Sequence, residues 1–565
     1  NTTGESNTAI GLYALYDNTT GSYNTALGIN ALGDNTTAGG NTALGYNALR
    51  LNTTGANNVV MGHQAADANL SGDKLTAIGY NALGANTTAD SNTAVGYQAS
   101  FSNTDGNTNT ALGYEALYTN TQGDRNTAVG HQALYTMNPS GNADSYNTGV
   151  GFYALYANTI GYRNTAVGGL SLDALVTGNN NTAIGYAAAT SRTSGNDNVA
   201  VGAYCMNAVA TANNNTAVGK SAMHDLTTGS ENVALGLNAL FACTTGYNNV
   251  ALGYRALDAA TTVHSCIAIG YDALGAANTG NSNVAIGRAA MGANTSGSGT
   301  AVGSYALAAN TTGIENTAIG YATLDANTTG QHNTAVGHQA LSANTTASYN
   351  VAVGRNALGS NTTGEYNTAC GMDALEANTT ASNNTAFGTR ALEACSTGHT
   401  NTAVGQGCLD SLTTGDENVA MGAGTGNDIT TGNENVLIGT RAGGYSVVLT
   451  TGSRNILIGR DATVTSSSAQ HQIIIGTYQN QAVGTWSTTS DIRIKKNVVD
   501  NNTGLDKINQ IRVRNFEYKT EEEIQNDSPE LKEVSNAACV EKEGMQLGVI
   551  AQEIDKILPE CVKEE

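Results

Sequence analysis

The chain has 565 residues, of which 12% are charged and 5% aromatic, with 68 glycines against 3 prolines and a net charge of −21. An acidic chain with so few cations excludes duplex DNA or RNA as a partner, because neutralising phosphates needs clustered Lys and Arg. No apolar run approaches the roughly 20 residues that a membrane-spanning helix requires, and a hydrophobic fraction of 40% in strict spacing argues against disorder.

The first residue, Asn1, lies inside a repeat, with no initiator Met and no signal peptide, so the chain reads as a fragment. From Asn7 an Asn-led motif recurs to residue 472 in 28 copies, and 24 of the 27 intervals are 17 residues. The exceptions are 21 (126 to 147), 16 (283 to 299) and 20 (435 to 455). With the leading Asn as position 1, the consensus is N-T-A-[IVL]-G-Y-x-A-L-x-x-N-T-T-G-x-x. Position 2 is always β-branched (Thr8, Val59, Ile267), position 4 always apolar (Ile10, Leu27, Met61, Phe387), and position 5 is Gly from Gly11 to Gly476. β-Branched residues favour extended backbone, and a fixed Gly signals positive φ or a close backbone approach. Positions 1–4 therefore predict a short strand, position 5 a turn, and N-T-T-G at positions 12–15 a second corner.

One such unit per 17 residues is one coil of an all-β repeat, a parallel β-solenoid or β-roll over residues 1–476. Coils stacked ~4.8 Å apart make a rod on the order of 130 Å long. The competing reading is an α/β repeat with one helical turn at the A-L segment; N-T-T-G interrupts every candidate helix before two turns can form. The extra residues near Asn138, Pro139 and Gly141, and around Gly443 and Gly444, fall in the second corner, which keeps proline out of the strand.

Positions 2 and 4 share one strand face and position 3, Ala in 23 of 28 copies, faces the other way. Both faces are apolar, which predicts burial on both. The expectation is that the bulky face fills the coil and the Ala face meets a neighbouring chain, with Leu437, Leu457 and Ile474 altering that contact near the end of the rod. N-T-A-I-G-Y-x-A-L resembles the N-S-V-A-I-G-x-x-A coils of YadA-like trimeric adhesin heads, over residues 7–476 and with a longer coil, and the same arrays are similar to those of phage tail fibres. The resemblance implies a homotrimer.

A linker is expected over 477–489, and a separate module over 490–565. From Ser487 to Glu565, 28 of 79 residues are charged. Leu505, Ile508 and Ile511 have helical spacing, Arg512–Tyr518 alternates like a strand, and Gly548–Leu558 reads as an amphipathic helix ending at Pro559. Between the last two, the acidic stretch Glu521–Gln546 reads as a surface insertion. The order S-D-I-R-I-K (Ser490 to Lys495), G-L-D-K-I-N-Q-I, F-E-Y and G-V-I-A-Q-E-I (Gly548 to Ile554) resembles the intramolecular chaperone auto-processing domain of phage tailspikes, endosialidases and tail fibres. That resemblance implies a small α+β module that trimerises, drives folding of the fibre before it, and cuts itself off between Thr489 and Ser490. Ser490 would be the nucleophile and Lys495 its base. The family continues past the A-Q-E helix, so Glu565 is expected to be a truncation. A serine hydroxyl attacks a carbonyl only when a base removes its proton, and a desolvated lysine can serve. Five residues apart, the pair shares a face of neither an ideal helix nor an ideal strand. A bend or a second subunit must bring them together. On residue chemistry alone, Ser490 as a turn cap and Lys495 as a solvated charge is the simpler description.

Five cysteines replace small or interior residues: Cys243 and Cys395 the corner Asn, Cys205 and Cys408 the position-8 Ala, and Cys370 position 4, taken as interior. His63, His131 and His338 replace the position-6 Tyr and imply a surface aromatic ladder. No metal-ligand spacing occurs, no cofactor motif is present, and Asn-Thr-Thr triplets are better read as turns than as glycan acceptors. The irregularities total a few residues, too little for the catalytic insertion of a glycan-cleaving tailspike. The expected protein is a virion tail fibre that contacts other tail proteins and a host cell-surface receptor, with surface Tyr, Asn and Thr suited to a glycan. The alternative is a trimeric bacterial surface adhesin. Ice binding through the Thr stripe is weak, since eleven copies carry Val or Ile at position 2.

Overall fold

A computed structural model describes residues 1–141, 144–208, 210–276, 280–444 and 446–476, together with 510, 511, 514–516, 546–548, 553 and 556. The chain divides into two compact units, Asn1–Thr485 and Trp486–Glu565.

The first unit is a parallel β-solenoid. It holds 28 three-residue strands, from β1 (Thr8–Ile10) to β28 (Ile473–Ile475), one at positions 2–4 of every coil. Each strand pairs in parallel with the strand of the next coil at identical positions, as in Thr8↔Thr25, Ala9↔Ala26 and Ile10↔Leu27. The intervals of 21, 16 and 20 residues leave that register intact, since Thr127 still pairs with Thr148, Val284 with Thr300 and Val436 with Ile456. No helix occurs among the described residues of this unit.

The A-L segment is a left-handed turn, not a helical one. Positions 7 and 9 both have positive φ, as in Asn30 (56°) and Leu32 (51°), and so does the residue before each leading Asn, as in Tyr23 (63°). Such a conformation is unfavourable for L-residues. It is offset here by inter-coil hydrogen bonds: Leu32 N donates to Ala48 O at 3.1 Å and Asn30 N to Leu12 O at 2.9 Å. The position-5 glycine meets both requirements expected of it. At Gly96, φ is 140°, and a Cβ would lie 2.3 Å from the carbonyl oxygen of Gly113 in the next coil.

The strand faces are the reverse of the sequence expectation. Position 3 points into the coil: Ala26, Ala111 and Ala251 are fully buried, whereas the position-4 residues Leu112, Leu235 and Phe387 are 46%, 45% and 52% exposed. The physical reason is the width of the coil. Opposite the strand, position 8 Ala and position 9 Leu turn inward and are buried throughout, so the leucine supplies the bulk and only alanine fits across from it. Where that leucine is missing, the strand compensates. Position 9 is Gly426 and Gly443 in two late coils, and Leu437 and Leu457, both fully buried, occupy the vacated space. A Cβ on Gly426 would come within 2.7 Å of Leu437 Cδ1. The enlarged residues thus repack the interior and do not alter an outer contact. For the same reason Cys370, at position 4, is half-exposed and not interior.

Two columns of buried asparagine complete the interior. At position 12, Asn35 Nδ2 donates to Asn18 Oδ1 (2.8 Å) and to Ala38 O (3.0 Å), and Asn52 Nδ2 donates to Asn35 Oδ1 (3.1 Å). At position 1, Asn24 Nδ2 donates to Ala38 O while Asn24 Oδ1 accepts the backbone N–H of Asn41. Each amide is both donor and acceptor to its coil neighbours, which is what burial of so polar a side chain demands.

In the second unit, β29 (Arg514–Phe516) pairs antiparallel with β30 (Gln546–Gly548). The first lies inside the strand expected over 512–518. The second takes Gly548 into a strand, where the sequence reading started a helix; Glu553, inside that reading, is helical.

Candidate functional site

The outward side of each coil carries the chemistry the rod can offer. Positions 2 and 4 form an unbroken apolar ribbon along the sheet, alternating β-branched and aliphatic side chains, with Val233, Leu235, Val419 and Met421 all exposed. Monomeric proteins seldom expose a contiguous apolar patch beyond roughly 300–600 Å², and a ribbon running the length of 28 strands exceeds that by its continuity.

Beside it runs the aromatic ladder anticipated at position 6. Tyr46, His63, Tyr80, Tyr97, Tyr114, His131 and Phe152 stack in sequence with ring centroids 4.9–5.4 Å apart. His338 stacks on Tyr321 in the same column. Further ladders escaped the sequence reading. Phe101, Tyr118, Tyr135 and Tyr156 stack at position 10, and His332, Tyr349 and Tyr366 at position 17. Their signal was available, since like residues 17 apart must meet in a solenoid. Along a ladder each ring face is covered by its neighbour, so inner rings offer solvent only edges and hydroxyls. Tyr114 is held above the ordinary phenol range by its hydrogen bond to Glu115, and Tyr135 by partial burial.

Position 16 is a third regular feature the sequence reading passed over. Its Ser, Asn or Asp accepts the backbone N–H of the residue one coil earlier: Asp73 from Ala56, Asp90 from Asp73, Asn107 from Asp90. These polar residues close the corner and are not ligands.

The thiols are fillers. Cys205, Cys243, Cys266, Cys395 and Cys408 are buried and free, and burial pushes Cys205, Cys395 and Cys408 up to about 12 and Cys243 to about 11. None is a thiolate at neutral pH. Among the described residues, no three His, Cys, Asp or Glu side chains converge as metal ligands, and no helix is long and apolar enough to cross a membrane. Interior Arg192 was also missed. It occupies position 12, is fully buried, and donates from Nη1 to Asn181 Oδ1 (3.0 Å) and Ala212 O (3.2 Å).

The residues anticipated for self-cleavage, Thr489, Ser490 and Lys495, lie outside the described residues. No curated protein matches the chain. Residues 490–563 match the family described as Chaperone of endosialidase, so the solenoid precedes a segment similar to the chaperone module of that family.

Proposed function

We propose that the chain is the shaft and host-contacting part of a bacteriophage tail fibre, assembled as a homotrimer and matured by its carboxy-terminal chaperone. The observation that carries this reading is the order of parts: a β-solenoid of 17-residue coils, then residues 490–563 with their match to the endosialidase chaperone. A folding module placed after a long β-rod suits a fibre that must assemble correctly once. It disfavours a surface adhesin, whose carboxy terminus would serve as its membrane anchor. In this reading Ser490 attacks the carbonyl of Thr489, Lys495 takes the hydroxyl proton, and the peptide bond between Thr489 and Ser490 breaks. One turnover per chain suffices.

The exposed ribbon at positions 2 and 4 supports lateral association. With the alanine face turned inward, this apolar face is the one left for sister chains. The other tail proteins and the host receptor are partners of the same reading.

The test is mass and assembly state. Expressed with its native carboxy-terminal region, the wild-type chain should appear as two fragments cut after Thr489, and Ser490→Ala as one uncut chain. Equal chain lengths for the two would remove self-processing from the account. A solenoid sedimenting as a single chain would remove the trimer.

A further inference from the structure

The position-10 column is interrupted near the start of the rod. Its first members are Tyr16, Gly33, Arg50 and Asp67. Glycine leaves a gap in a column otherwise filled by side chains, and the chain closes such a gap elsewhere. At Gly84 the ring of Phe101 leans in to within 3.1 Å of where a Cβ would stand. At Gly33 it stays open, because Arg50 is drawn the other way by Asp67, Nε to Oδ1 at 2.9 Å, and its Cγ approaches no closer than 3.8 Å. The result is a cavity of about 180 Å³ lined by Tyr13, Tyr16, Asn30, Gly33, Asp34 and Arg50.

We propose that this cavity binds one neutral pyranose residue of a saccharide, an assignment that rests on the host-contact reading of the rod. Tyr13 and Tyr16 meet edge to face, with centroids 5.4 Å apart and planes at 89°, so at least one ring face is not consumed by ladder stacking and can take the apolar face of a sugar. Arg50 Nη1 and Asp34 Oδ2 stand 4.0 Å apart, too far for a direct charge-assisted hydrogen bond of about 2.7–2.9 Å. A hydroxyl fits between such a pair, since it accepts from the guanidinium while donating to the carboxylate. Asn30 adds an amide at the rim, its Nδ2 donating to Asn47 Oδ1 at 3.1 Å. Charge sets the class of sugar. One cation, Arg50, stands with two carboxylates, Asp34 and Asp67, so a sialic acid, uronic acid or phosphorylated sugar is repelled and a neutral polyol is not.

Gly33 provides the test. Its φ is not in the left-handed region, and Tyr stands at the same coil position as Tyr118, Tyr135 and Tyr156, so Gly33→Tyr completes the column without straining the coil. Saturation-transfer NMR on the whole chain, with glucose, galactose, mannose, N-acetylglucosamine and sialic acid as probes, should show transfer to at least one neutral sugar and none to sialic acid. Gly33→Tyr and Asp34→Ala should each weaken that binding by about tenfold or more. The pocket is overturned if no neutral sugar responds, if sialic acid responds best, or if the signal survives Gly33→Tyr. Adsorption to host cells separates this from the broader reading. Fibres that adsorb while no sugar binds the cavity leave host contact standing and sink the pocket. A Gly33-dependent sugar signal in fibres that adsorb to no cell supports the pocket and sinks host contact.

Discussion

Replacing Arg192 with leucine should stabilise the rod. The guanidinium is fully buried with no carboxylate partner, and its Nε and Nη2 have no hydrogen-bond acceptor. Burial lowers its pKa from 12.5 to about 10, which corresponds to a penalty of about 3 kcal/mol for holding the charge inside. Two unsatisfied donors, at about 1–3 kcal/mol each, give a penalty of the same size. The substitution strands no acceptor. Asn181 Oδ1 still accepts from Asn198 N and Nδ2, and Ala212 O from Asn198 Nδ2. Leucine is already the solution used one coil earlier, at the fully buried Leu175. A gain of about 3 kcal/mol slows local opening by about a hundredfold, so the amides of Thr193 and Val199, bonded to Ala210 O and Asn215 O, should exchange that much more slowly. The pH dependence has a definite sign. Because the folded pKa lies below the unfolded one, the penalty is fully present below about pH 10 and disappears as pH rises from about 10 toward 12.5. Wild-type stability should therefore gain over that window relative to Arg192→Leu. Faster exchange or a lower melting temperature in the leucine variant would refute the reasoning and mean that the buried charge is compensated.

Leu437→Ala should cost about 2–5 kcal/mol as a core truncation. Gly426→Leu should be destabilising alone and partly rescue it, a coupling that a double-mutant cycle of melting temperatures reads directly. The backbone permits the rescue, since Gly426 at φ 59° already has the conformation of Leu409 at φ 52°. Leu235→Asp, in the exposed ribbon, should leave the coil folded by circular dichroism and lower the trimer fraction in sedimentation; an unchanged trimer would place the interface elsewhere. The buried thiols should resist alkylation in native protein at pH 8 and react on denaturation, while half-exposed Cys370 reacts natively. Equal native reactivity of Cys205 and Cys370 would contradict the interior assignment.

The period, strand position and fixed glycine were legible because each repeats without exception, and a solenoid turns repetition directly into stacking. The strand orientation was not. Alternation says that positions 2 and 4 oppose position 3, but not which side is inward, and that choice depends on Leu32 and its equivalents folding back from a left-handed turn. Positive φ at Asn30, Leu32 and Tyr23 has no signature in residue type, since the inter-coil hydrogen bonds that stabilise it are non-local. The ladders at positions 10 and 17, the backbone caps at position 16 and the open gap at Gly33 could each have been found by reading the sequence in columns of 17. Ser490 and Lys495 gain no geometry from the described residues, and their roles stay with the family resemblance and the proposal built on it.

The asparagine columns carry a consequence for folding. Asn35 satisfies Asn18 and Asn52 by the same bonds with which any member of the column satisfies its neighbours, so a chain that slips by one whole coil keeps nearly every interior contact. Energy alone then distinguishes the correct phase poorly, and wrong alignments compete with the right one as shallow traps. What breaks the degeneracy is the set of irregular coils: the extra residues around Pro139, the Gly426–Leu437 exchange, the charge at Arg192. These departures from the repeat act as landmarks by which a nearly periodic chain finds its place.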